Sequence, residues 1–462
     1  MLTALVAGVH AGRFHPRDLV DESLRRIERL NPALNAVVAL RAEAARKEAE
    51  LPSRRQGPLA GLPVLVKDLV ATRGLPNTRG GSPLFADAPC DDHDDPTVAA
   101  LVEAGAIVVG RTNSPSFGHL GVTDNPLFGP TRNPWNLART PCGSSGGAAA
   151  ALAAGLAAIC TSSDGGGSTR APAAACGLVG YKPSMGLFRS VEGARTLGSS
   201  TVGAMGRSVD DCLLEAQALL ATRPGGLFAP PVGSVSLTPR RPARVIACET
   251  LTGKTLPHLG RSFEAMCALI ADTLRVPLEV RRQVLSRDYV TAFEHVYNCE
   301  LARTLLPYRD RWPDLEPSLR FLCDAGLKVT GTQVVEAYTS RLQIAAEIDA
   351  LLGEDTVLIT NVINIDLPGP SGESPCSDAG RDGGIAILEA EMEGAGNTMH
   401  FNISGHPALS VPAGIGPDGV PVGLQIVAPR WGDGLLFGLA REIEAARPWP
   451  LAAPGYAPFD LG

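Results

Sequence analysis

The chain has 462 residues, of which 45% are hydrophobic and 19% charged, and its formal net charge is -7. Near-average apolar content in a chain of this length excludes intrinsic disorder and predicts a globular protein with a sizeable core. The acidic balance and the 5% aromatic content provide neither a basic surface for phosphates nor many stacking platforms for bases. Nucleic acid is therefore not expected as a direct partner.

Ten cysteines are scattered along the chain, without a C-x-x-C pair or a Cys/His cluster at zinc-binding spacing. This pattern predicts reduced thiols, a cytoplasmic location and no metal site, and we expect no cofactor. The first ten residues have no basic region ahead of their apolar stretch, so no signal peptide is expected. The longest small-apolar run, 146–160, is shorter than the roughly 18–20 residues that span a bilayer, which argues against a transmembrane segment. The sequence leaves open whether the protein forms a homodimer.

Residues 1–57 are predicted to form an N-terminal helical arm. Apolar residues recur at helical spacing from Leu19 to Leu30, after Pro16, and Asn31-Pro32 is expected to end the pattern. The sheet should therefore begin only after this arm.

Residues 58–222 are predicted to form the core of the molecule. From Gly61 onward, a strand pattern over 62–70, a helix ending near Gly105, a strand over 107–109 and the helix and strand of 146–160 follow one another. Such alternation is typical of a sheet that is covered by helices on both faces. We expect an α/β fold with a large, mixed, mostly parallel sheet in an α/β/α arrangement.

Residues 223–354 are predicted to form a connection followed by a helical insertion. The connection, 223–242, is rich in Pro and Gly, whereas amphipathic helical patterns such as Gln333–Leu352 dominate residues 255–354. We therefore expect a helical insertion between the two strand-rich parts of the chain.

Residues 355–462 are predicted to return to the same sheet and to complete a single domain, 1–462. Strand patterns over 356–363 and 421–427 precede a helical pattern over 434–446. We see no internal repeat that would divide the chain further.

Lys67 is a candidate general base. It follows the apolar run 64–66 and is one of only five lysines, so a basic residue chosen for solubility alone would more often be Arg in this chain. Arg stays charged at neutral pH, whereas an ammonium group buried among apolar residues can lose its proton. The alternative is an ordinary lysine at a strand end, with its amine in water.

The run 161–170 follows an apolar strand and presents Gly165, Gly166 and Gly167 ahead of Ser168. Glycines allow close approach, so that successive backbone N–H groups can converge on a developing oxyanion, which suits a nucleophile at Ser168. Chain reversal and phosphate binding also use glycine-rich turns. However, the Walker and G-x-G-x-x-G patterns are absent, and neither alternative needs a serine here.

The run 143–147 formally matches G-x-S-x-G, with Ser145 as the nucleophile of an α/β-hydrolase. That interpretation needs a downstream acid and a histidine, and none of the downstream histidines lies in a recognisable context. Ser144 and Ser145 also precede a helical pattern, where N-terminal N–H groups favour negative charge. One of the two serines could equally be an N-cap.

The order and spacing of these segments resemble the amidase signature family over nearly the whole chain. The family uses a Ser–cis-Ser–Lys triad, so the resemblance implies that Ser168 is the nucleophile, Ser144 the bridging serine and Lys67 the base. It also implies a cis Gly143–Ser144 peptide bond. Further segments carry the likeness: Thr131–Trp135, Gly180–Pro183, Asn402–Gly405, His406–Pro412 and Pro421–Ile426.

The resemblance implies further roles around the triad. The backbone N–H groups of Gly165, Gly166, Gly167 and Ser168 would form the oxyanion hole. Gly118 and His119 occupy a stretch that lines the acyl site in relatives and are candidate substrate contacts, with His119 equally explained as a structural imidazole. The helical insertion, 255–354, would supply other walls of the acyl pocket. The supporting polar residues would be Ser145, Asp164 and Arg170.

The chain departs from the family pattern without losing a triad side chain. Cys142 stands where Gly is usual, Ala148 where Ser is common and Gly165 where Ile or Thr is usual. Ala171 occupies a position that is typically Gln in the A subunit of glutamyl-tRNA amidotransferase, which favours a free-standing amidase. That enzyme would hydrolyse a small-molecule amide to a carboxylate plus ammonia or amine. The alternatives are a glutaminase-type A subunit, an esterase with the same triad and a catalytically silent binding protein.

Overall fold

The protein is represented by a computed structural model, and part of the predicted connection, residues 223–228 and 232, lies outside the described residues. Within the predicted C-terminal region, 355–462, residues 371–396 also lie outside the described residues. The structure describes residues 1–188, 199–222, 229–231, 233–251, 253–286, 289–370 and 397–461.

The N-terminal arm is not wholly helical, in contrast to the prediction. Its helices α1 (Leu2–His10), α2 (Pro16–Leu34) and α3 (Ala42–Ala49) are interrupted by the strand β1 (Val37–Leu40). Helix α2 begins with a capping box and buries its apolar face, but it continues past the predicted break at Pro32. β1 is a strand because it pairs with the edge of a sheet, a long-range contact that helical spacing does not reveal.

The first sheet has four strands. β1 lies at one edge, antiparallel to β3 (Ile107–Thr112), and β3 is parallel to β2 (Pro63–Lys67), which is parallel to β4 (Ile159–Cys160). Every residue of β2 is buried, which accounts for its uninterrupted apolar run up to Lys67. The predicted helices of this region are α4 (Pro96–Glu103) and α5 (Gly146–Ala153).

The second sheet has eight strands in the order β5-β7-β6-β11-β12-β10-β8-β9. It therefore combines strands from before the insertion with strands from after it, and its last strand, β9, lies within the predicted insertion. The strands are β5 (Ser162–Asp164), β6 (Val179–Lys182), β7 (Thr201–Gly206), β8 (Arg244–Ala247), β9 (Leu278–Val280), β10 (Thr356–Asn361), β11 (Ala408–Ile415) and β12 (Pro421–Val427).

The α/β class and the mixed character of the sheets are confirmed, but the expectation of mostly parallel strands is wrong. Among the strand pairings of the described residues, six are antiparallel and four parallel. β11 and β12, for example, form a hairpin closed by a Gly416–Val420 hydrogen bond, and a hairpin needs no crossover helix. The C-terminal strands also join the eight-stranded sheet, not the sheet that contains β2.

The remaining helices include those of the predicted insertion. The longest of them begins with a capping box at Thr330 and Gln333 and covers the predicted 333–352 pattern. Residues 397–403 are also helical. No helix in the described part of the chain has the length and apolarity to cross a bilayer. The helices are α6 (Arg170–Ala175), α7 (Val209–Leu219), α8 (Pro257–Ala268), α9 (Val290–Leu305), α10 (Pro317–Gly326), α11 (Gly331–Leu352) and α12 (Asp433–Ala446).

The two sheets meet at Thr161, the single residue between β4 and β5. Its N–H donates to the Leu65 carbonyl at 3.0 Å, and its hydroxyl accepts a 2.9 Å hydrogen bond from the Lys67 N–H. The end of β2 is therefore fastened to the point where the chain enters the second sheet. This junction brings Lys67 close to the turn that follows β5.

Candidate active site

Lys67 lies at the last position of β2 and is fully buried. Its Nζ donates to the hydroxyl oxygens of Ser144 at 2.8 Å, Ser145 at 2.9 Å and Ser163 at 3.1 Å. The alternative of a strand-end lysine with its amine in water is therefore wrong. An amine held among three hydroxyls is placed to exchange protons with them.

The turn before α5 presents Ser144 to the amine. Cys142 has a left-handed φ of 65°, and the Gly143–Ser144 peptide bond is cis, as the family resemblance implies. A Cβ at Gly143 would lie 2.7 Å from the Leu120 carbonyl oxygen, so a side chain there would displace the backbone. The turn thus requires glycine directly before Ser144.

Ser145 occupies the N-cap position of α5, but its side chain does not cap the helix. Its hydroxyl accepts from Lys67 and donates to the Ser163 carbonyl at 3.3 Å. The N-cap interpretation therefore describes the position of Ser145 and not the role of its hydroxyl. The hydroxyl oxygens of Ser145 and Ser163 are neutral, so these two bonds hold the amine without giving it a counter-charge.

Ser168 lies in the turn between β5 and α6 and is half-buried. Its carbonyl accepts a 3.3 Å hydrogen bond from the Ser145 N–H, which joins the two serine-containing turns. Among the described residues, the Ser168 hydroxyl makes no hydrogen bond. The first link of the implied triad, from Lys67 to Ser144, is thus formed. The Ser144–Ser168 hydroxyl contact stays a prediction, and such contacts often tighten only when substrate binds.

A buried ion pair holds the Ser168 turn. Asp164 and Arg170 are fully buried, and the guanidinium donates to both carboxylate oxygens, at 2.7 and 2.8 Å. Asn402 also donates to Asp164, at 2.9 Å. Burial alone would raise the pKa of the Asp164 carboxyl, but the charge and hydrogen bonds of Arg170, helped by Asn402, bring that pKa well below its usual range. The carboxylate therefore stays charged and orders the turn at neutral pH.

The predicted oxyanion hole needs one correction. The Gly167 N–H donates to Asp164 at 2.8 Å, so it is engaged within the turn and is not directed at a substrate oxygen. No described residue accepts a hydrogen bond from the N–H groups of Gly165 or Gly166. These two glycines therefore keep the donors that an oxyanion would need, together with the N–H of Ser168.

Gly118 and His119 have different surroundings. Gly118 has a φ of 70°, and a Cβ on it would lie 3.2 Å from the Ser144 hydroxyl oxygen, so its backbone lies against the bridging serine. His119 is buried; its Nδ1 donates to the Ser116 carbonyl at 2.7 Å and its Nε2 accepts from the Ser318 hydroxyl at 2.9 Å. Burial lowers the pKa of His119 to about 4. The imidazole is neutral and links the site to the insertion, which matches the structural interpretation.

Several residues at the site were not predicted as functional from the sequence. Ser163 and Asn402 belong to segments that the sequence singled out, but their contacts with Lys67 and Asp164 depend on segments that lie far apart in the chain. Phe293 and Tyr297 lie on α9, one helical turn apart, and this i, i+4 spacing was the available signal. Periodicity indicates that two residues share a helix face but not what that face meets.

Comparison with known proteins finds relatives over nearly the whole chain. The family model described as Amidase matches residues 18–233. The chain is 29% identical to the 6-aminohexanoate-cyclic-dimer hydrolase of Paenarthrobacter ureafaciens, covering 98% of this chain and 96% of that protein. It is 30% identical to the A subunit of the glutamyl-tRNA(Gln) amidotransferase of Chromohalobacter salexigens, covering 98% of each. A solved structure of 6-aminohexanoate cyclic dimer hydrolase with substrate matches at a TM-score of 0.86 and 27% identity, over 98% of both chains.

Proposed function

Since this chain belongs to the amidase signature family of hydrolases, which act on amide C–N bonds, we propose that it cleaves a carboxylic amide through an acyl-enzyme on Ser168. The observation that carries this proposal is the 2.8 Å hydrogen bond between the fully buried Lys67 amine and the Ser144 hydroxyl. The bond joins a basic group to the turn that lies against Ser168. A serine nucleophile can be activated in this way without a histidine.

The first step is attack on the amide carbonyl. In the neutral form of Lys67, the 2.8 Å hydrogen bond runs from the Ser144 hydroxyl to the electron pair of the amine nitrogen. Lys67 accepts the proton of Ser144, and Ser144 accepts the proton of Ser168 as the Ser168 oxygen bonds to the carbonyl carbon. Ser144 then returns a proton to the leaving nitrogen, so the C–N bond breaks and ammonia or an amine departs. Water attacks the resulting ester by the reverse proton relay, and a carboxylate is released.

The charge that develops on the carbonyl oxygen needs fixed donors. The N–H groups of Gly165, Gly166 and Ser168 are the donors in this proposal, since Gly167 is bonded to Asp164. Removing one such donor typically costs about 3 to 4 kcal/mol of transition-state stabilisation. The Asp164–Arg170 pair contributes by holding the turn in one conformation before substrate arrives.

The same proposal treats residues 1–462 as one domain that binds a small-molecule amide in the cytoplasm. In support, one hydrophobic core includes Leu2 of the arm, Val64 of the central region, Val245 of the connecting region and Leu409 of the C-terminal region. Segments that share a core are expected to fold together. The cytoplasmic location is a prediction from the cysteine pattern.

A pair of serine variants tests the nucleophile. Ser168→Ala should abolish amide turnover and labelling by a fluorophosphonate, because no acyl-enzyme can form. Ser82→Ala is the control, since Ser82 is a fully buried serine in a loop that plays no part in the scheme. It should keep both turnover and labelling. Full activity in purified Ser168→Ala would contradict the proposal.

The second candidate is a glutaminase-type A subunit, which the full-length similarity to an amidotransferase A subunit favours. Release of ammonia from L-glutamine, increased by co-purifying subunits, would support that candidate over a free-standing amidase. Turnover of matched esters and amides by the isolated chain separates an amidase from an esterase with the same triad. Absence of both labelling and turnover would indicate a binding protein.

A further inference from the structure

Two aromatic side chains of the insertion form a stacked pair on α9. The ring centroids of Phe293 and Tyr297 are 5.3 Å apart and the ring planes differ by 14°. Their spacing of four residues places both rings on one helix face. Aromatic residues are only 5% of the chain, so two of them in parallel contact form a distinct apolar surface.

This pair lies against both glycine-containing turns of the site. A Cβ on Gly166 would lie 3.0 Å from Cζ of Phe293, so the ring edge packs on the turn that carries Ser168. The Tyr297 hydroxyl donates to the Gly118 carbonyl at 3.3 Å, and the Gly118 backbone in turn lies against Ser144. The rings therefore border the nucleophile turn on one side and the bridging serine on the other.

The positions of the rings are set by the fold and do not depend on a substrate. Phe293 is 8% exposed and packs in a hydrophobic cluster with Tyr289 and Met399. Tyr297 is half-buried, so part of its ring remains accessible while its hydroxyl is held by Gly118. A rigid aromatic surface loses little conformational freedom when a ligand packs on it.

We propose that Phe293 and Tyr297 are specificity-determining residues that select amides with a planar apolar group next to the scissile bond. The rings would bury that group by offset stacking or edge contact, as aromatic side chains do in apolar pockets. The inference rests on the proposed function, because it assumes that the bond is cleaved at Ser168. The group could belong to the acyl or to the amine side of the amide, since the pair borders both turns.

The test measures kcat/KM for four substrates in the full-length protein. Acetamide is the reference, benzamide places a ring on the acyl side, acetanilide places one on the amine side, and L-glutamine is the polar competitor. For at least one aryl substrate, we compare the ratio of its kcat/KM to that of acetamide. This ratio should be lower by about tenfold or more in Phe293→Leu and in Tyr297→Leu than in the wild type. The reason is that a small change in an apolar pocket typically alters discrimination by about 10 to 200-fold.

Two control variants separate this role from a structural one. Tyr297→Phe removes the hydrogen bond to Gly118 but keeps the ring, so it should retain the aryl-to-acetamide ratio. Phe321→Leu removes an aromatic residue of α10 from the same insertion, and it should leave all four values unchanged. Equal fluorophosphonate labelling rates show whether each variant keeps a folded site.

The possible failures are distinguishable. A wild-type protein that is labelled at Ser168 but prefers acetamide or L-glutamine to both aryl amides would overturn the inference and leave the proposed function standing. Retention of an aryl preference in both leucine variants would overturn it as well. A wild-type protein with neither labelling nor turnover would instead contradict the proposed function.

Discussion

Two lysines in this chain are fully buried, Lys67 and Lys182, and their surroundings differ. The amine of Lys67 donates to three serine hydroxyls, whereas the amine of Lys182 donates to the Pro183 carbonyl at 2.9 Å. A hydroxyl can both accept and release a proton, but a carbonyl can only accept a hydrogen bond. Burial of a lysine is therefore not enough to make a base; the groups at its tip decide whether a proton can be passed on.

The surroundings of Lys182 favour its neutral form. Burial, followed by the nearby Arg170 guanidinium, lowers the pKa of Lys182 to about 7, against the opposing effects of Asp164 and Asp433. Lys182 is thus coupled electrostatically to the Asp164–Arg170 pair that holds the Ser168 turn. We infer a role in chemistry for Lys67 and no such role for Lys182.

Replacing each lysine with methionine, which keeps most of the volume and removes the amine, tests whether the two lysines differ in role. Lys67→Met should lower kcat/KM by about 10²–10⁴-fold, as expected for loss of a general base. Part of the loss should be relieved at high pH, where hydroxide can take the serine proton. Lys182→Met should change kcat/KM much less.

Steady-state kinetics on one amide, with thermal melting to confirm folding, checks this pair of variants. If Lys182→Met lost as much activity as Lys67→Met while remaining folded, the distinction between the two lysines would be wrong. A fully active Lys67→Met would contradict the proposed relay itself.

The next largest effect is expected at the ion pair. Asp164→Asn leaves the buried Arg170 charge without its partner and should lower the free energy of unfolding by about 3 to 5 kcal/mol. Urea unfolding measures this change. Asp92→Asn is the control, because Asp92 is a 95% exposed carboxylate, and it should change stability by less than about 0.5 kcal/mol. Equal stabilities of the two variants would show that the pair does not order the turn.

The buried Lys182 also predicts a pH dependence of stability. Its folded pKa of about 7 lies below the ordinary value of 10.5, so between these values the unfolded chain binds a proton that the folded chain lacks. The free energy of unfolding of the wild type, relative to Lys182→Met, should therefore rise by about 1 kcal/mol per pH unit across this window. Urea unfolding at about pH 7.5 and about pH 9, both inside the window, compares the two proteins. If the difference between their free energies of unfolding were the same at both pH values, a neutral buried Lys182 would be excluded.

The smallest effect concerns the hydroxyls that hold the Lys67 amine. Ser145→Ala removes one of them and should reduce kcat/KM about tenfold, the value of roughly one hydrogen bond. Ser163→Ala should act similarly because its hydroxyl occupies an equivalent position at 3.1 Å. Ser144→Ala serves as the comparison, and its kcat/KM should fall far more than that of Ser145→Ala. A Ser145→Ala variant as inactive as Ser144→Ala would make Ser145 the relay.

The predictable parts of the fold were those with local signals. The pattern over 421–427 coincides with β12, and that over 333–352 lies within α11, because a strand or helix that buries one or both faces shows it in its own residues. Strand direction was not predictable in this way. β11 and β12 pair as a hairpin, and the division into two sheets depends on contacts between distant segments.

The residues of the site also divide into those with a local signal in the sequence and those that depend on distant contacts. Lys67 could be proposed as a base because lysine is rare in this chain and an apolar strand precedes it, and Ser168 as a nucleophile because of its glycine turn. The engagement of the Gly167 N–H by Asp164 could not be foreseen, since it depends on the conformation of the turn. Phe293 was likewise missed, because an aromatic residue in a helix more often fills a core than borders a site.

The single-residue junction at Thr161 has a consequence for how this protein can change. The strand that bears Lys67 and the turn that bears Ser168 are tied within a few residues of each other, so their spacing does not depend on the length of any long segment. If the proposed roles hold, insertions or deletions in the helices of 255–354 would leave the separation of Lys67 and Ser168 unchanged. Lengthening the chain by one residue at Thr161 would alter that separation directly.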